Sequence, residues 1–423
     1  MIRFYNGKIL SFSPDACLSD GEVWTDGPLI SHAGPVTGEL PSFEREINLN
    51  GGIVMPGFKN AHSHTAMTFL RSLADDKPLD RWLNEIVFPC EGKLREEGFY
   101  YLVKLGIMEY LSCGITSCFD MYYFRDVFVE ACESAGFRAV ICSGMNNFDS
   151  DPGIVEKDFL RFNGGSALTG YVLGMHAEYT TSRERIEYVA SLAKKYKAPC
   201  FTHLCETKKE AQGCIERYGM TAPVFLNELG FFDYGGGGFH CVYMSDEDIE
   251  LFASKGLYAV TCPASNLKLA SGIAPLEKLR KAGIPIAIGT DGAASNNALD
   301  MFREMYLATA LQKVSCQDAS ALPAAEVLKM ACVNGARAMG LNSCDDLAAG
   351  KAADLTVLSL DRPNMRPVNN LISNMVYSGN PSNIRLTMVN GKILYENGEF
   401  FIGDDAEKIY SETQKFADSL REC

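Results

Sequence analysis

Hydrophobic and polar positions alternate with a period of two near both ends of the chain. The strings IRFYNGKILSF and GEVWTDGPLISHAG lie near the start, and KAADLTVLSL and IRLTMVNGKILYENGEF lie near the end. A period of two is typical of strands with one buried face. Hairpin turns are predicted at four dipeptides, Asn6-Gly7, Asp26-Gly27, Asn390-Gly391 and Asn397-Gly398. Because the string NGKIL occurs in both regions, we expect the two ends to pair into one small β domain.

The long middle of the chain follows a different pattern, in which short apolar runs alternate with segments of helical spacing. Residues 182–196 have apolar positions at helical spacing, and residues 245–256 open on an N-cap serine. Eight strands are predicted, within residues 51–64, 114–121, 137–145, 170–179, 198–206, 238–244, 256–265 and 284–294. Eight strands separated by helices are typical of an α/β protein with a (β/α)₈ TIM barrel. We therefore predict a barrel over residues 56–349 and a composite β-sandwich domain from residues 1–55 and 350–423.

Composition narrows the class of protein without identifying it. The 423 residues include 53 acidic and 39 basic side chains, a net charge of −14, which disfavours nucleic acid and anionic membranes as partners. The 15 cysteines include no C-x-x-C pair, and no signal peptide or membrane-length apolar run is present. We expect a cytoplasmic protein with reduced thiols. The composition leaves a small-molecule ligand and a homo-oligomer open.

Histidines are concentrated where the predicted strands end. Only His32 lies elsewhere; the other five of the six fall at strand C-termini, namely His62, His64, His176, His203 and His240. Asp291 follows the eighth strand. The carboxyl ends of barrel strands meet at one face, and His62 and His64, two residues apart, point to the same side of their strand. Imidazole nitrogens with one carboxylate indicate a catalytic zinc or similar transition-metal site, although the histidine pair alone fits buried polar residues equally well.

Several longer strings carry a family resemblance. PGFKNAHSHTAMTFLRSLADD, THLCET, HCVYM, PASNLKLASGIAP and GTDGAASNNALDMFREM occur in that order, and AAGKAADLTVLSLD follows them. They closely resemble the amidohydrolase superfamily, in particular its branch of 5′-methylthioadenosine/S-adenosylhomocysteine deaminases. The resemblance implies a distorted (β/α)₈ barrel that holds one divalent metal. Its implied ligands are His62, His64, His203 and Asp291, and zinc is favoured over iron or manganese.

The same resemblance implies a set of catalytic roles. Metal coordination lowers the pKa of water to about 7, which supplies hydroxide at neutral pH. Asp291 matches the residue that is both ligand and proton acceptor, and Glu206 matches the general acid/base. His240 matches the residue that polarises the attacking water or stabilises charge beside the metal. A ligand role for neutral His240 remains an alternative.

Substrate-binding residues are also implied. Glu91 matches a glutamate that accepts hydrogen bonds from the ribose 2′- and 3′-hydroxyls, Trp82 matches a pocket tryptophan, and His176 matches a histidine near the ribose. Glu178, where the family commonly has proline, is predicted to contact the substrate or to bridge a second metal. Enzymes that take S-adenosylhomocysteine carry arginines for its carboxylate, and here Ser143 stands at one such position. Glu178 would in addition repel a carboxylate, so S-adenosylhomocysteine is expected to be a poor substrate.

These expectations define the function predicted from sequence. The protein is predicted to be a hydrolase of C–N bonds other than peptide bonds, a cyclic amidine deaminase. It would convert adenosine, 5′-deoxyadenosine or 5′-methylthioadenosine to the inosine analogue and ammonia, by attack of metal-activated water at purine C6. The alternative is a deaminase or hydrolase of another aminated heterocycle, of guanine, pterin, cytosine or triazine type. A non-catalytic binding protein would be expected to lack a ligand or Glu206, and all of them are present.

Overall fold

The strands form two separate sheets. The computed structural model describes residues 1–13, 15–36, 38–73 and 75–421. Within them the strands of the sheet from the chain ends are β1 (Ile2–Ser11), β2 (Cys17–Asp26), β3 (Leu29–Gly34), β4 (Arg45–Asn48), β5 (Ile53–Pro56), β14 (Leu355–Leu358), β15 (Ile384–Val389), β16 (Lys392–Glu396) and β17 (Glu399–Phe400). The strands of the second sheet are β6 (Phe58–Ser63), β7 (Ile115–Asp120), β8 (Arg138–Cys142), β9 (Thr169–Ala177), β10 (Cys200–Leu204), β11 (Gly236–His240), β12 (Tyr258–Thr261) and β13 (Ile286–Ile288).

Helices separate the strands of the second sheet and extend beyond it. They are α1 (Leu79–Trp82), α2 (Phe88–Glu91), α3 (Glu96–Ser112), α4 (Arg125–Ala135), α5 (Ile154–Phe162), α6 (Arg183–Tyr196), α7 (Lys208–Tyr218), α8 (Ala222–Glu228), α9 (Asp246–Lys255), α10 (Pro263–Lys268), α11 (Leu276–Lys281), α12 (Ala293–Asn296), α13 (Met301–Cys316), α14 (Ala324–Lys329), α15 (Gly335–Ala338), α16 (Leu371–Tyr377) and α17 (Ala406–Arg421). The predicted N-cap at Ser245 is present, since its hydroxyl accepts the Asp248 N–H at the start of α9.

The eight strands of the second sheet are parallel and follow chain order from β6 to β13. This arrangement confirms the predicted (β/α)₈ barrel. It places the ends of β6, β10, β11 and β13 at one mouth of the barrel, which is where such folds carry chemistry. The barrel interior is packed with apolar side chains, including Phe119, Phe201, Phe239 and Val260.

The barrel closes at a seam between β6 and β13, which is made largely of side-chain hydrogen bonds. The Thr290 N–H donates to Asn60 Oδ1 at 2.8 Å, and Asn60 Nδ2 donates to Thr290 Oγ1 at 2.7 Å. A Cβ at Gly289 would lie 2.6 Å from the His62 nitrogen, so only glycine permits this approach. The seam distorts the barrel and brings the His62 strand beside Asp291, whose N–H donates to the His62 carbonyl at 3.0 Å.

The sheet from the chain ends confirms the predicted pairing of the two β-rich regions. Antiparallel pairing of β14 with β5 joins them, and the sheet encloses a core of its own with Phe4, Val23, Leu355 and Leu386. Turns occur as predicted at Asp26-Gly27, Asn390-Gly391 and Asn397-Gly398, between consecutive antiparallel strands.

The turn predicted at Asn6-Gly7 was wrong. β1 continues through it, and the register slips between Phe4 and Gly7 with Asn6 at a φ of 59°. This irregularity lets β1 pair first with β4 and then with β5. An Asn-Gly dipeptide supplies the positive φ that either a hairpin or a bulge requires, so the dipeptide alone does not distinguish them.

The first strand predicted for the barrel is in fact two strands. β5 belongs to the sheet from the chain ends and β6 to the barrel, and Gly57 alone separates them. A Cβ at Gly57 would lie 2.1 Å from Thr116 Cγ2, so the backbone passes against β7 at this point. The chain therefore passes from one sheet to the other within a single apolar run, which shows no break in hydrophobicity.

The C-terminal helix α17 lies against α3 of the barrel. The ring of Phe416 packs edge-on against Phe69, with centroids 5.6 Å apart. Within the described ranges, no helix combines the length and the apolar character that crossing a bilayer requires.

Candidate active site

Four predicted metal ligands converge at the barrel mouth. Two overlapping groups have ligand atoms within 4.8 Å of one another: His62 with His203 and His240, and His62 with His64 and Asp291. His64 Nε2 lies 3.3 Å from Asp291 Oδ1, and His62 Nε2 lies 3.7 Å from the same oxygen. Tetrahedral zinc with bonds of about 2.0–2.1 Å holds its ligand atoms about 3.3 Å apart. The spacing of these atoms therefore fits one divalent metal.

His62 gives independent support for a metal. Its ring is fully buried, yet within the described part of the chain neither ring nitrogen has a hydrogen-bond partner. Burial and the neighbouring histidines hold the pKa of His62 well below its ordinary value, so the ring is neutral. A buried neutral imidazole with no partner loses its hydrogen bonding to water without replacement, and a metal ion supplies that replacement.

Backbone carbonyls orient two of the ligands. His64 Nδ1 donates to the Met121 carbonyl at 2.5 Å, and His203 Nδ1 donates to the His176 carbonyl at 2.7 Å. A ring that donates through Nδ1 in this way presents its other nitrogen, Nε2, to the cluster. This arrangement is the usual outer-shell support of metal-binding histidines.

Asp291 is held by groups that were not predicted from sequence. Its Oδ2 accepts hydrogen bonds from Ser265 Oγ at 2.5 Å and Ser295 Oγ at 2.8 Å, and its Oδ1 accepts the Gly292 N–H at 2.8 Å. Burial opposes ionisation, but His64, His240 and the two serine hydroxyls outweigh it and lower the pKa of Asp291. The carboxylate is therefore ionised, as a ligand must be. Both serines lie in the strings PASNLKLASGIAP and GTDGAASNNALDMFREM, just after β12 and β13, which was the available signal.

Asp291 and His240 share an unusual backbone conformation. Their φ angles are 59° and 71°, in the left-handed region that non-glycine residues seldom adopt. Such residues cluster at active sites, where the surrounding structure maintains the strain.

Glu206 and His240 lie beside the ligand cluster. Glu206 Oε2 is 3.9 Å from His240 Nε2, and Ser271 Oγ donates to Glu206 Oε1 at 3.4 Å. Burial raises the pKa of Glu206, and the charge of Asp291 adds to the effect. Burial opposes protonation of His240, but the carboxylates of Glu206 and Asp291 raise its pKa. Glu206 is thus protonated more readily than an exposed glutamate, which suits a general acid.

Two further residues orient this pair. Asn266 Oδ1 accepts a hydrogen bond from His240 Nδ1 at 2.8 Å, which directs Nε2 toward Glu206. Glu210 accepts the backbone N–H groups of Cys205 and Glu206, each at 2.8 Å, and so fixes the turn that carries Glu206. Burial and the nearby Glu206 raise the pKa of Glu210 to about 7. From the sequence, Glu210 is marked only by its spacing from Thr207, with which it forms a capping box.

A cavity of about 670 Å³ opens onto the cluster. This volume is within the range of small-molecule sites, which is about 300–1,000 Å³. Trp82, Glu91 and His176, all predicted to contact substrate, line it together with Glu206, His240 and Asp291. The indole Nε1 of Trp82 is buried and has no hydrogen-bond partner within the described residues. Burial lowers the pKa of His176 to about 4, so its ring is neutral.

The prediction for Glu178 has to be corrected. Its carboxylate is 1% exposed and forms a bidentate ion pair with Arg217, whose Nε donates at 3.0 Å. Tyr179 and Thr180 line the cavity, but Glu178 is not among the residues that do. β9 ends at Ala177 and a 3₁₀ turn begins at Glu178, so the two-residue alternation that places His176 in the pocket no longer applies. Glu178 is therefore assigned neither to substrate nor to a second metal.

The charges along another part of the cavity wall were also unexpected. Arg125 and Asp149 line the cavity near Tyr123. Arg125 Nη1 lies 3.3 Å from the carboxylate of Asp158, which is largely buried. Ser143, the position compared with an arginine in the sequence analysis, is fully buried and does not line the cavity.

Comparison with known proteins supplies the family. The model of the amidohydrolase family matches residues 53–394. A 5-methylthioadenosine/S-adenosylhomocysteine deaminase from Caldicellulosiruptor saccharolyticus is 41% identical over 377 residues, which cover 89% of this chain and 88% of that protein. A 5′-deoxyadenosine deaminase from Methanosarcina mazei is 37% identical over 423 residues, covering 98% and 97%. The crystal structure of an adenosine deaminase from Xanthomonas campestris with bound zinc superposes with a TM-score of 0.95 at 29% identity, covering 100% of this chain and 99% of that one. The chain belongs to the amidohydrolase family.

Proposed function

We propose that the protein is a metal-dependent deaminase of adenosine-type nucleosides, which converts the 6-amino purine and water to the 6-oxo purine and ammonia. The observation that carries the proposal is that Glu206 and Glu91 line the same cavity as three of the four predicted metal ligands, His64, His203 and Asp291. Glu206 supplies an acid for the purine ring, and Glu91 supplies an acceptor for sugar hydroxyls. The names of the relatives, which include adenosine, 5′-deoxyadenosine and 5-methylthioadenosine deaminases, support the same substrate class.

The side chains divide the chemistry between them. When bound by His62, His64, His203 and Asp291, the metal supplies a water molecule acidified to a pKa of about 7. Glu206 delivers a proton to the purine ring nitrogen as water attacks C6, and Asp291 accepts the proton that the attacking water loses. His240, held by Asn266, stabilises negative charge that develops at the attacking oxygen. Proton transfer to the amino group then releases ammonia.

One assay tests the substrate class directly. Ammonia release and the ultraviolet change of purine deamination are measured for adenosine, 5′-deoxyadenosine, 5′-methylthioadenosine, guanine, cytosine, a pterin and an aminated triazine. We expect turnover of the three nucleosides. Turnover confined to a base, pterin or triazine would favour the alternative function.

S-Adenosylhomocysteine is expected to be a poor substrate, with kcat/KM at least about tenfold below that of adenosine. The carboxylate of its homocysteine tail loses hydration on binding and is compensated only by a lysine or arginine that is not already paired. Arg125 is the one lysine or arginine among the described residues that line the cavity, and Asp158 already pairs with it. Asp149 adds a second negative charge nearby. Glu178 does not contribute, since it pairs with Arg217 and does not line the cavity. Steady-state kinetics check the ratio, and comparable values would contradict the expectation.

A matched variant tests the reason for that discrimination. Asp158→Asn removes the partner of Arg125 and should raise kcat/KM for S-adenosylhomocysteine several-fold, by about the strength of one charge-assisted hydrogen bond. The value for adenosine, which has no tail charge, should stay constant. An equal change for both substrates would show that Asp158 does not act on the charged homocysteine tail of S-adenosylhomocysteine.

Metal content is expected to be one equivalent per chain. Removal by a chelator should abolish turnover and lower the melting temperature, because ligands that bind only the folded state stabilise it. Elemental analysis gives the count, and zinc, iron and manganese are added back separately to identify the metal. We expect zinc to restore turnover, and two equivalents in the active protein would contradict a single-metal site.

A further inference from the structure

Glu91 has a partner in the cavity wall that the proposed function does not use. The Tyr122 hydroxyl donates to Glu91 Oε1 at 2.7 Å. Both side chains line the cavity, and both are partly buried. Tyr122 comes from the barrel, just after β7, whereas Glu91 ends the short helix α2 outside the barrel. The hydrogen bond therefore joins the segment after β7 to the helix that carries Glu91, two parts of the cavity wall that are distinct elements of the fold.

The position of Tyr122 is fixed on both sides. Its ring stacks on Phe99 of α3, with centroids 5.9 Å apart and planes 15° apart. The preceding residue, Met121, accepts the hydrogen bond from His64 Nδ1. One short segment thus supports a predicted metal ligand through its backbone and Glu91 through a side chain.

The hydrogen bond has a defined direction. Burial and the neighbouring Glu91 raise the pKa of Tyr122 well above its ordinary value, so the phenol keeps its proton and donates. Burial raises the pKa of Glu91, and donation from Tyr122 opposes that rise and favours the carboxylate form. A carboxylate has about four acceptor positions, of which Tyr122 occupies one and the neighbouring Tyr123, a second phenol donor, another. The others can accept hydrogen bonds from a ligand in the cavity.

We propose that Tyr122 is a positioning residue that orients Glu91 toward the ribose hydroxyls of the substrate. This inference rests on the proposed function, in which Glu91 receives the ribose. Glu91 is the last residue of a helical stretch over residues 79–91, in which α1, a π-helical turn and α2 follow one another without a break. It therefore stands at the C-terminal end of a helix that lies outside the barrel strands. The phenol links it to the rigid barrel and holds one carboxylate oxygen, so the other oxygen faces the substrate in a set orientation.

The test compares Tyr122→Phe with wild type on two substrates in the zinc-loaded protein. Adenosine carries both ribose hydroxyls, and 2′,3′-dideoxyadenosine carries neither. For adenosine we expect KM to rise about tenfold, the effect of one hydrogen bond to a charged group, with kcat changed less than about threefold. For dideoxyadenosine we expect KM to stay within about twofold, since that substrate has no hydroxyl for Glu91 to bind.

A double-mutant cycle with Glu91→Ala separates positioning from general support of the fold. If Tyr122 acts through Glu91, Tyr122→Phe has no further effect on adenosine in the Glu91→Ala background. Tyr100→Phe is the matched control, because that hydroxyl donates to Asp404 at 2.7 Å and does not line the cavity. Metal content is measured for each variant to show that the His64 side of the pocket is unchanged.

The outcomes distinguish this inference from the function on which it rests. Equal losses on both substrates, a fall in kcat alone, or additive effects in the cycle would overturn the role of Tyr122 while adenosine deamination by the wild type stands. Absence of nucleoside turnover by the metal-loaded wild type would overturn both. A KM effect limited to adenosine and absent in the Glu91→Ala background supports the role.

Discussion

Asp291→Asn is expected to lower kcat for adenosine by at least about 10³-fold, because the substitution removes both a charged metal ligand and a proton acceptor. The carboxylate is ionised in its buried surroundings, and its Oδ1 lies 3.3 Å from His64 Nε2. An amide of the same shape has neither the negative charge nor the basicity of the carboxylate. Ammonia release with adenosine measures the loss.

The fold should survive this substitution. Asparagine fills the same volume, and the serine hydroxyls of Ser265 and Ser295 can still donate to its amide oxygen. Circular dichroism and thermal melting check this point, and elemental analysis follows the metal. Asp300→Asn is the matched control: Asp300 caps α13 through the Phe302 N–H, and asparagine caps helices equally well. Near-normal turnover in Asp291→Asn would overturn the mechanism.

Glu206→Gln is expected to lower kcat by about 10²- to 10⁴-fold, the usual contribution of a general acid/base. The amide cannot deliver a proton to the purine ring or recover one from water. Unlike the Asp291 substitution, this one should leave the metal in place, because Glu206 is not in either group of ligand atoms. Kinetics and metal analysis of the same preparation therefore separate the two roles.

A glutamate on the neighbouring helix serves as the control for Glu206. Glu216 is exposed on α7, where it accepts a hydrogen bond from Gln212 at 3.3 Å, and Glu216→Gln should leave kcat unchanged. If Glu206→Gln retained most of the wild-type turnover with a full complement of metal, another group would have to move the proton.

Much of the site was predictable because histidine is rare in this chain and the barrel repeats one unit, a strand followed by a helix. Five histidines fall at the ends of apolar runs, and the ends of parallel barrel strands meet. The predicted positions of His62, His64, His203, His240 and Asp291 needed only strand order. The wrong turn at Asn6 and the single strand expected over residues 51–64 have another origin, since local pattern does not show which sheet a residue joins.

The direction of individual side chains was harder to predict. Glu178, where the family commonly has proline, was predicted to contact the substrate or to bridge a second metal, but β9 ends before it and Arg217 neutralises its carboxylate. Glu91 was identified by resemblance alone, and nothing in the sequence linked it to Tyr122. That contact depends on how α2 lies over the barrel mouth, which is set by packing between distant segments.

The sequence by itself determined the eight-stranded barrel, the pairing of the chain ends, and which histidines and carboxylates are available at the barrel mouth. Each of these follows from local periodicity and residue type. The tertiary structure decided how those side chains are oriented and hydrogen-bonded. Contacts that no spacing predicts bring four further side chains to the predicted catalytic residues: Ser265, Ser295, Asn266 and Glu210. The seam between β6 and β13 sets the distances of His62 and His64 from Asp291. A hydrogen bond depends on the distance and angle between two atoms, and those are fixed only when the whole chain has packed.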